Sequence, residues 1–311
     1  MELVVHLNSK KFISDFIEIG IKNFIVGTKY FSCRQAMSLD YQELKDLKEQ
    51  LKDKKLWVLV NALVEERNLD ELANHLAKLN EIQVAGILFQ DFGVLQICKE
   101  NNYTFEMIYS PDTLNTNQAT LNYLKTLGIT SAFLAREIPL DEKMMIAKST
   151  DLKTMIQVHG VEYMAYSKRK LLSNYFKETG IDHGVLIDDN LMIQANAVDY
   201  RCHIYEDKFG CHILSEKQLC TLDILSNFSC FDYLYFESLF IDDLKVVEIV
   251  SLYQEAIKSI DNKNYGKVSK ELIGMLHRIE NKVEYHHSFM FDATVYKIDD
   301  VRKREENERS K

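Results

Sequence analysis

A β/α barrel is the fold class that this sequence predicts, on three observations. Short apolar, β-branched runs recur along the chain, eight of them in all. Between them lie stretches whose leucines fall three and four residues apart, the spacing of an amphipathic helix. No Gly-x-Gly-x-x-Gly follows the first run, which counts against the competing doubly wound sheet in its dinucleotide-binding form.

Taken in order, the runs are LVVH (3 to 6), FIVG (24 to 27), LWVLVN (56 to 61), GILF (86 to 89), FEMIY (105 to 109), SAFLA (131 to 135), TMIQVHG (154 to 160) and YLYFE (233 to 237). YQELKDLKEQLKD separates the second from the third, LDELANHLAKLNEI the third from the fourth, and DLKVVEIVSLYQEAIKSI follows the eighth. Short buried strands alternating with helices imply a parallel sheet, and eight such units imply its closure. The seventh and eighth strands are separated by about seventy residues, where a short loop and a helix suffice, so a segment is inserted there. Within it, RCHIYEDKFGCHIL alternates apolar and polar residues around Asp-Lys-Phe-Gly and reads as a β-hairpin. Residues 1–260 are thus assigned to the barrel, with a lid-like insertion at 161–225. Residues 261–311 form a C-terminal extension that ends in the mixed charge run RKREENERSK, which is expected to fray.

Of the 311 residues, 46% are hydrophobic and 27% charged, the composition of a globular protein with a sizeable core. No apolar run approaches the roughly 20 residues that cross a bilayer, and MELVVHLNSKKF lacks the pattern of a signal peptide. A cytoplasmic protein with no membrane partner is expected. Cys33, Cys98, Cys202, Cys211, Cys220 and Cys230 form no Cys-x-x-Cys pair, and the spacings of the last four match no common zinc pattern. They are expected to be reduced, buried thiols, with no metal site. The net charge of −9 argues against tight nucleic-acid binding by the chain alone, and leaves room for a local basic patch.

In a barrel, the loops after the strands form the functional face. Asn61, the Arg136-Glu137 pair and Glu237 each stand at or just after a predicted strand end, and the seventh strand runs into VHGVEYMAYSKRKLLSNYF (158 to 176). Asn61, Arg136, His159, Ser167, Arg169 and Glu237 are therefore expected to face one mouth. Each has a plainer role open to it. Asn61 can cap the next helix, Arg136 and Glu137 can form a surface ion pair, and His159 can be a core histidine. Lys168, Arg169 and Lys170 can be a solvated helix start. Glu237 ends an apolar strand and needs a partner such as Arg136 or Arg169.

The run HGxxxxAYSxRxLLSNY resembles the signature of the collagenase-like peptidases, peptidase family U32. That signature has a His-Gly, a cysteine three residues later, then Tyr-Ser-Gly-Arg-Cys-Leu-Leu-Ser. YEDKFGCHILSEKQLCTLDIL, LAREI (134 to 138) and YLYFES are similar to further family segments. Here Tyr163 and Lys170 stand at the two cysteine positions and Lys168 at the glycine. KETGIDHGVLIDDN replaces a further cysteine-bearing segment, and only Cys220 falls where the family has a cysteine. The family's cysteines resemble the four-thiolate set of an iron-sulfur cluster, so the resemblance implies a member without the cluster and without any cofactor of its own. It is similar to the shorter, cysteine-poor partner of paired proteins in low-GC Gram-positive bacteria. That pair is linked to prephenate-dependent hydroxylation of the wobble uridine of tRNA, which gives 5-hydroxyuridine.

The function this implies is a tRNA-modification subunit that acts beside a larger, cysteine-bearing paralogue. It contacts tRNA through the complex, with Lys168, Arg169 and Lys170 as the basic segment. Two other readings stay open. The first is a peptidase using His159 and Ser167, although the sequence supplies no third orienting group and no HExxH. The second is a non-catalytic scaffold whose mouth binds prephenate or another small carboxylate through Arg136 and Arg169, with Asn61, Glu137, Tyr166, Asn174 and Glu237 around it.

Overall fold

A computed structural model describes residues 1–181, 191–194 and 200–292. The parallel strands β1 (Glu2–His6), β2 (Asn23–Thr28), β3 (Lys55–Val60), β4 (Gly86–Phe89), β5 (Glu106–Tyr109), β6 (Ser131–Phe133), β7 (Lys153–Gly160) and β8 (Tyr233–Phe236) pair in sequence order. β8 pairs with both β1, in register Val4 with Tyr235, and β7, in register Tyr233 with Met155, so the sheet closes into an eight-stranded barrel. The strands are buried on both faces because side chains alternate across them. Val4, Ile25, Trp57, Leu88, Ile108 and Met155 fill the interior, while Val5, Phe24, Val58, Ile87 and Leu234 pack outward into the helical layer.

The helices follow from their sequence period. Leu69–Ile82 buries Leu72, His75, Leu76 and Leu79 on one stripe. Tyr41–Leu51 starts at a capping box, in which Asp40 accepts from the Glu43 amide and Glu43 from the Asp40 amide. Asp243–Asp261 carries the fully buried Tyr253 against the outside of β7 and β8. Among the described residues no helix is long and apolar enough to cross a membrane.

After β7 the chain leaves the barrel. Gly160 permits the exit: its φ is +93°, and a Cβ there would stand 2.2 Å from the Glu237 carbonyl oxygen. Four strands then form an antiparallel sheet in the order Met192–Gln194, Arg201–Asp207, Gly210–Ser215, Tyr163–Ser167. Arg201–Asp207 and Gly210–Ser215 are the hairpin that the alternation in RCHIYEDKFGCHIL predicts. The chain returns through Gln218–Cys220, a strand that lies antiparallel to the end of β7. Val161, Tyr205 and Leu214 of the insertion pack with Leu239 and the half-buried Ala36, Tyr163 and Phe240, which seats the small sheet over the C-terminal ends of the strands.

Residues past 260 share the barrel's apolar layer. Helix Tyr265–Ile279 packs on Asp243–Asp261, Leu272, Leu276 and Met290 join the outer core, and Tyr285–His286 adds a strand beside Gln218–Cys220. The charged tail, RKREENERSK, and most of KETGIDHGVLIDDN lie outside the described residues.

Candidate functional site

The C-terminal strand ends and the sheet above them enclose a cavity of about 100 Å³. Its floor holds Glu237, which is 8% exposed. His6 Nδ1 lies 2.8 Å from Glu237 Oε1, the Tyr235 hydroxyl donates to Oε2 at 2.7 Å, and the Leu239 amide donates to Oε1 at 2.9 Å. Burial alone raises a carboxyl pKa, but here the neighbouring His6 and these hydrogen bonds overcome it and hold Glu237 below its ordinary range. Burial and the adjacent carboxylate push the Tyr235 phenol far up, so it stays a donor. Glu237's partners are thus the first and last strands of the barrel, not Arg136 or Arg169. The β8 alternation turns Tyr235 and Glu237 inward, beside the end of β1.

One wall is Arg34, from the loop after β2. Its Nη2 donates to both oxygens of Asp112, from the loop after β5, at 3.0 and 2.8 Å, and its guanidinium lies 4.4 Å over the Tyr163 ring. Arg34 and Asp112 both adopt left-handed backbone, with φ of 53° and 65°, a conformation that costs a non-glycine residue about 1 kcal/mol or more. Asn61 secures this loop from β3. Its Oδ1 accepts from the Cys33 amide at 2.9 Å, and its Nδ2 donates to the Cys33 carbonyl at 3.1 Å. It therefore fixes the backbone next to Arg34 and caps no helix. Burial pushes the Cys33 thiol up to about 11.

Two further cations line the cavity. Arg136 lines the cavity, with its Nε 3.1 Å from Glu137 Oε1. Lys143, 2% exposed, donates to the Arg136 carbonyl at 3.0 Å, and burial brings its pKa down to about 8. Glu162, buried, and Tyr163 are the polar side chains that the insertion adds to the lining. Two guanidiniums and an ammonium thus share one small cavity with Asp112, Glu162 and Glu237.

The other residues singled out in the sequence lie elsewhere. His159 is fully buried, stacked on Phe236 at 4.6 Å with its Nδ1 3.3 Å from the Tyr253 hydroxyl, on the outer face of the barrel wall and not at the mouth. Burial takes its pKa down to about 3, which leaves the ring neutral. The cause is a bulge: β8 residues Tyr235 and Phe236 pair with Gln157 and His159, so Val158 is extra and the alternation shifts. Ser167 ends its strand in the small sheet, where its Oγ accepts from the Arg169 amide at 3.2 Å. Arg169 and Asn174 are exposed. Lys168 pairs with Glu65, and Lys170 donates to the Asp207 carbonyl at 3.2 Å. Tyr166 donates to the Phe209 carbonyl.

The signature residues meet in the lid. Glu206, 2% exposed, accepts from the Leu172 amide at 3.0 Å, the Ser173 amide at 3.2 Å, the Ser173 hydroxyl, and the Cys211 thiol at 3.2 Å. It therefore caps the helix Leu171–Thr179 from the neighbouring hairpin. Reasoning from sequence missed His6, Arg34, Asp112, Tyr235, Lys143 and Glu162. Only His6 and Tyr235 carried a local signal, as polar groups in otherwise apolar strands.

The chain is 28% identical over 307 residues to tRNA hydroxylation protein P2 of Bacillus subtilis (strain 168), across 95% of this chain and 99% of that one. It is 26% identical over 163 residues to tRNA hydroxylation protein P1 of the same strain, covering 52% of this chain and 39% of the relative. It is 30% identical over 132 residues to tRNA hydroxylation protein P of Haemophilus influenzae, covering 42% of this chain and 29% of the relative. The chain therefore spans one relative nearly end to end and well under half of the other two. The model of peptidase family U32 matches residues 9–298, which takes in every barrel strand after the first, the inserted sheet and the capped helix, and the chain belongs to that family.

Proposed function

We propose that this chain is a subunit of a tRNA-hydroxylating system and that its barrel mouth binds a small dianionic carboxylate of the prephenate kind, beside a cysteine-bearing paralogue. The observation that carries the reading is the pair Arg34 and Arg136, backed by Lys143, around one enclosed cavity. Arg34 engages Asp112 through Nη2, and planar guanidiniums suit bidentate carboxylate capture. Supporting it further, three relatives are named for tRNA hydroxylation, and two of them occur together in one bacterium.

Among the described residues, no donor set fits an iron-sulfur cluster. At the two family cysteine positions, Tyr163 lies beneath the Arg34 guanidinium and Lys170 stands 4.0 Å from Glu206. Neither supplies a thiolate. Burial raises the Cys220 thiol to about 11, and Cys211 donates to Glu206. On this reading the chain binds and orients, and redox steps belong to the paralogue. A peptidase reading finds less support, since His159 is buried and neutral and is not the partner of the Ser167 hydroxyl.

The cavity of about 100 Å³ is below the roughly 300 Å³ at which ligand pockets begin, so an aromatic-sized dianion requires the lid to shift. Nucleoside analysis of tRNA from strains lacking this chain, its paralogue, or both tests the proposal. Loss of the hydroxylated uridine is expected in the strain lacking this chain as well as in the double deletion, with restoration of the former by the wild-type chain and not by Arg34→Gln, Arg136→Gln. Restoration by that double variant, or an unchanged nucleoside profile in the double deletion, overturns it.

A further inference from the structure

Beneath the Asp207–Gly210 turn, three hollows adjoin. The mouth cavity shares Arg34, Asp112 and Tyr163 with a cleft of about 200 Å³. That cleft shares Leu63, Tyr166 and Phe209 with a groove of about 730 Å³ on the barrel's flank. Shared side chains thus place the surface groove next to the cleft, and the cleft next to the Arg34 guanidinium.

The groove has a distinct chemistry. Tyr30 and Tyr41 stack with centroids 4.3 Å apart and an interplanar angle of 11°. The buried His75 lies 5.4 and 5.7 Å from them, with its Nδ1 3.0 Å from the Tyr41 hydroxyl. Burial brings the His75 pKa down to about 4, so this floor is an uncharged aromatic surface. Tyr166 and Phe209 stand where the groove meets the cleft. Arg67, Lys168 and Lys208 line it against two carboxylates, Glu65 and Glu71, a local excess of positive charge on a chain of net charge −9. Glu65 pairs with both Arg67 and Lys168, so it holds two of those cations in place. Aromatic faces flanked by cations in a concave site are how proteins hold unstacked bases of single-stranded RNA, and the volume suits one nucleotide rather than a duplex.

We propose that this flank groove takes one unstacked nucleotide of an RNA loop, with its base against Tyr166 and Phe209 and its phosphate at Lys168 and Lys208. The inference rests on the tRNA reading above and adds where the RNA enters. The base then approaches Arg34 and the carboxylate site from the side, under the hairpin turn. Lys208, which donates to the Lys29 carbonyl, and Tyr166, which donates to the Phe209 carbonyl, are the contacts that this turn breaks to admit it.

The test uses the full chain with its paralogue and a synthetic anticodon stem-loop carrying 4-thiouridine at the wobble position, irradiated and mapped by peptide mass spectrometry. Crosslinks to the segments bearing Tyr30 to Tyr41 or Tyr166 to Phe209 are expected. A Tyr166→Ala, Lys208→Ala variant should bind the stem-loop at least fivefold more weakly, the loss expected when one base loses its stacking partner. Glu65→Gln should bind it more tightly, because it releases Arg67 and Lys168, and this variant keeps the test sound if the first one misfolds. Crosslinks confined to the paralogue or to other segments, or unchanged affinity in both variants, overturn the groove while leaving the tRNA reading intact. A double variant that keeps RNA affinity but no longer copurifies with the paralogue makes the groove a protein interface and overturns it equally. Absence of any crosslink to either chain, together with an unchanged nucleoside profile in the deletion strains, removes both proposals.

Discussion

Replacing Asp112 with Asn tests whether the mouth holds a charge waiting for a counter-ion. The change keeps the shape of the side chain and removes the anion that faces Arg34 at 2.8 Å. The two side chains are only 11% and 19% exposed, so the guanidinium left behind has little water to compensate it. Breaking a buried pair by neutralising one member costs about 3 to 5 kcal/mol, and the residual exposure places this site at the lower end, about 3 kcal/mol. With an unfolding entropy of about 2.1 cal/mol/K per residue, the chain loses about 4 to 5 °C of melting temperature. The second half of the experiment is ligand rescue. A small dicarboxylate at about one hundred times its dissociation constant stabilises a binding protein by about 2.7 kcal/mol. It should restore more stability to Asp112→Asn than it adds to the wild type, because in the variant it supplies the missing charge. Urea melts with and without the dicarboxylate read both effects. A loss below about 1 kcal/mol, or equal stabilisation of both proteins, would refute the argument, since either result means that Arg34 already finds adequate solvent.

Two further outcomes follow from buried groups. Lys143 titrates near 8 in the folded chain against an ordinary 10.5, so the unfolded chain holds more protons in that interval and stability rises as pH climbs through it. Lys143→Met should flatten this rise, as urea melts at about pH 8 and about pH 10 will show; an unchanged slope would place the rise on another group. His159→Phe preserves the stack on Phe236 and removes the buried, unpartnered Nε2, so the fold and tRNA modification should both survive. A folded variant that no longer supports modification would return the imidazole to the chemistry.

The barrel was legible in the sequence because its strands are buried on both faces and its helices carry a clean apolar stripe. The run LDELANHLAKLNEI coincides with the helix Leu69–Ile82. The site was less legible, for two physical reasons. Its pairings are long-range: Glu237 meets His6 across 231 positions and Arg34 meets Asp112 across 78, and no local spacing announces either. A one-residue bulge also inverts facing. Counting alternately from Met155 and Gln157 puts His159 inside the barrel, and the extra residue Val158 puts it outside. Asn61, Arg136 and Glu237 come together along one cavity, and the end of a barrel strand was the positional signal for each.

The retained signature can be explained without any thiolate chemistry. Its Leu171-Leu172-Ser173 and the separate family-like segment Tyr205-Glu206-Asp207 lie more than thirty residues apart and meet at one carboxylate that accepts four hydrogen bonds. Asp207 accepts from the Phe209 and Gly210 amides and so shapes the turn, and Gly210, with φ of +140°, lets the turn pass 2.3 Å from the Ser167 carbonyl oxygen by the measure of an added Cβ. Remove Glu206 and the helix start loses its buried acceptor; enlarge Gly210 and the hairpin parts from the strand Tyr163–Ser167. Either change loosens the sheet that holds Tyr163 under Arg34 and Leu214 over the mouth. Folding of the lid is therefore reason enough for these residues to stand together. The cations of the mouth, Arg34, Arg136 and Lys143, come from loops and a helix outside the signature run, which supplies Glu162 and Tyr163, so a reading confined to that run identifies the roof of the site and not its cationic groups.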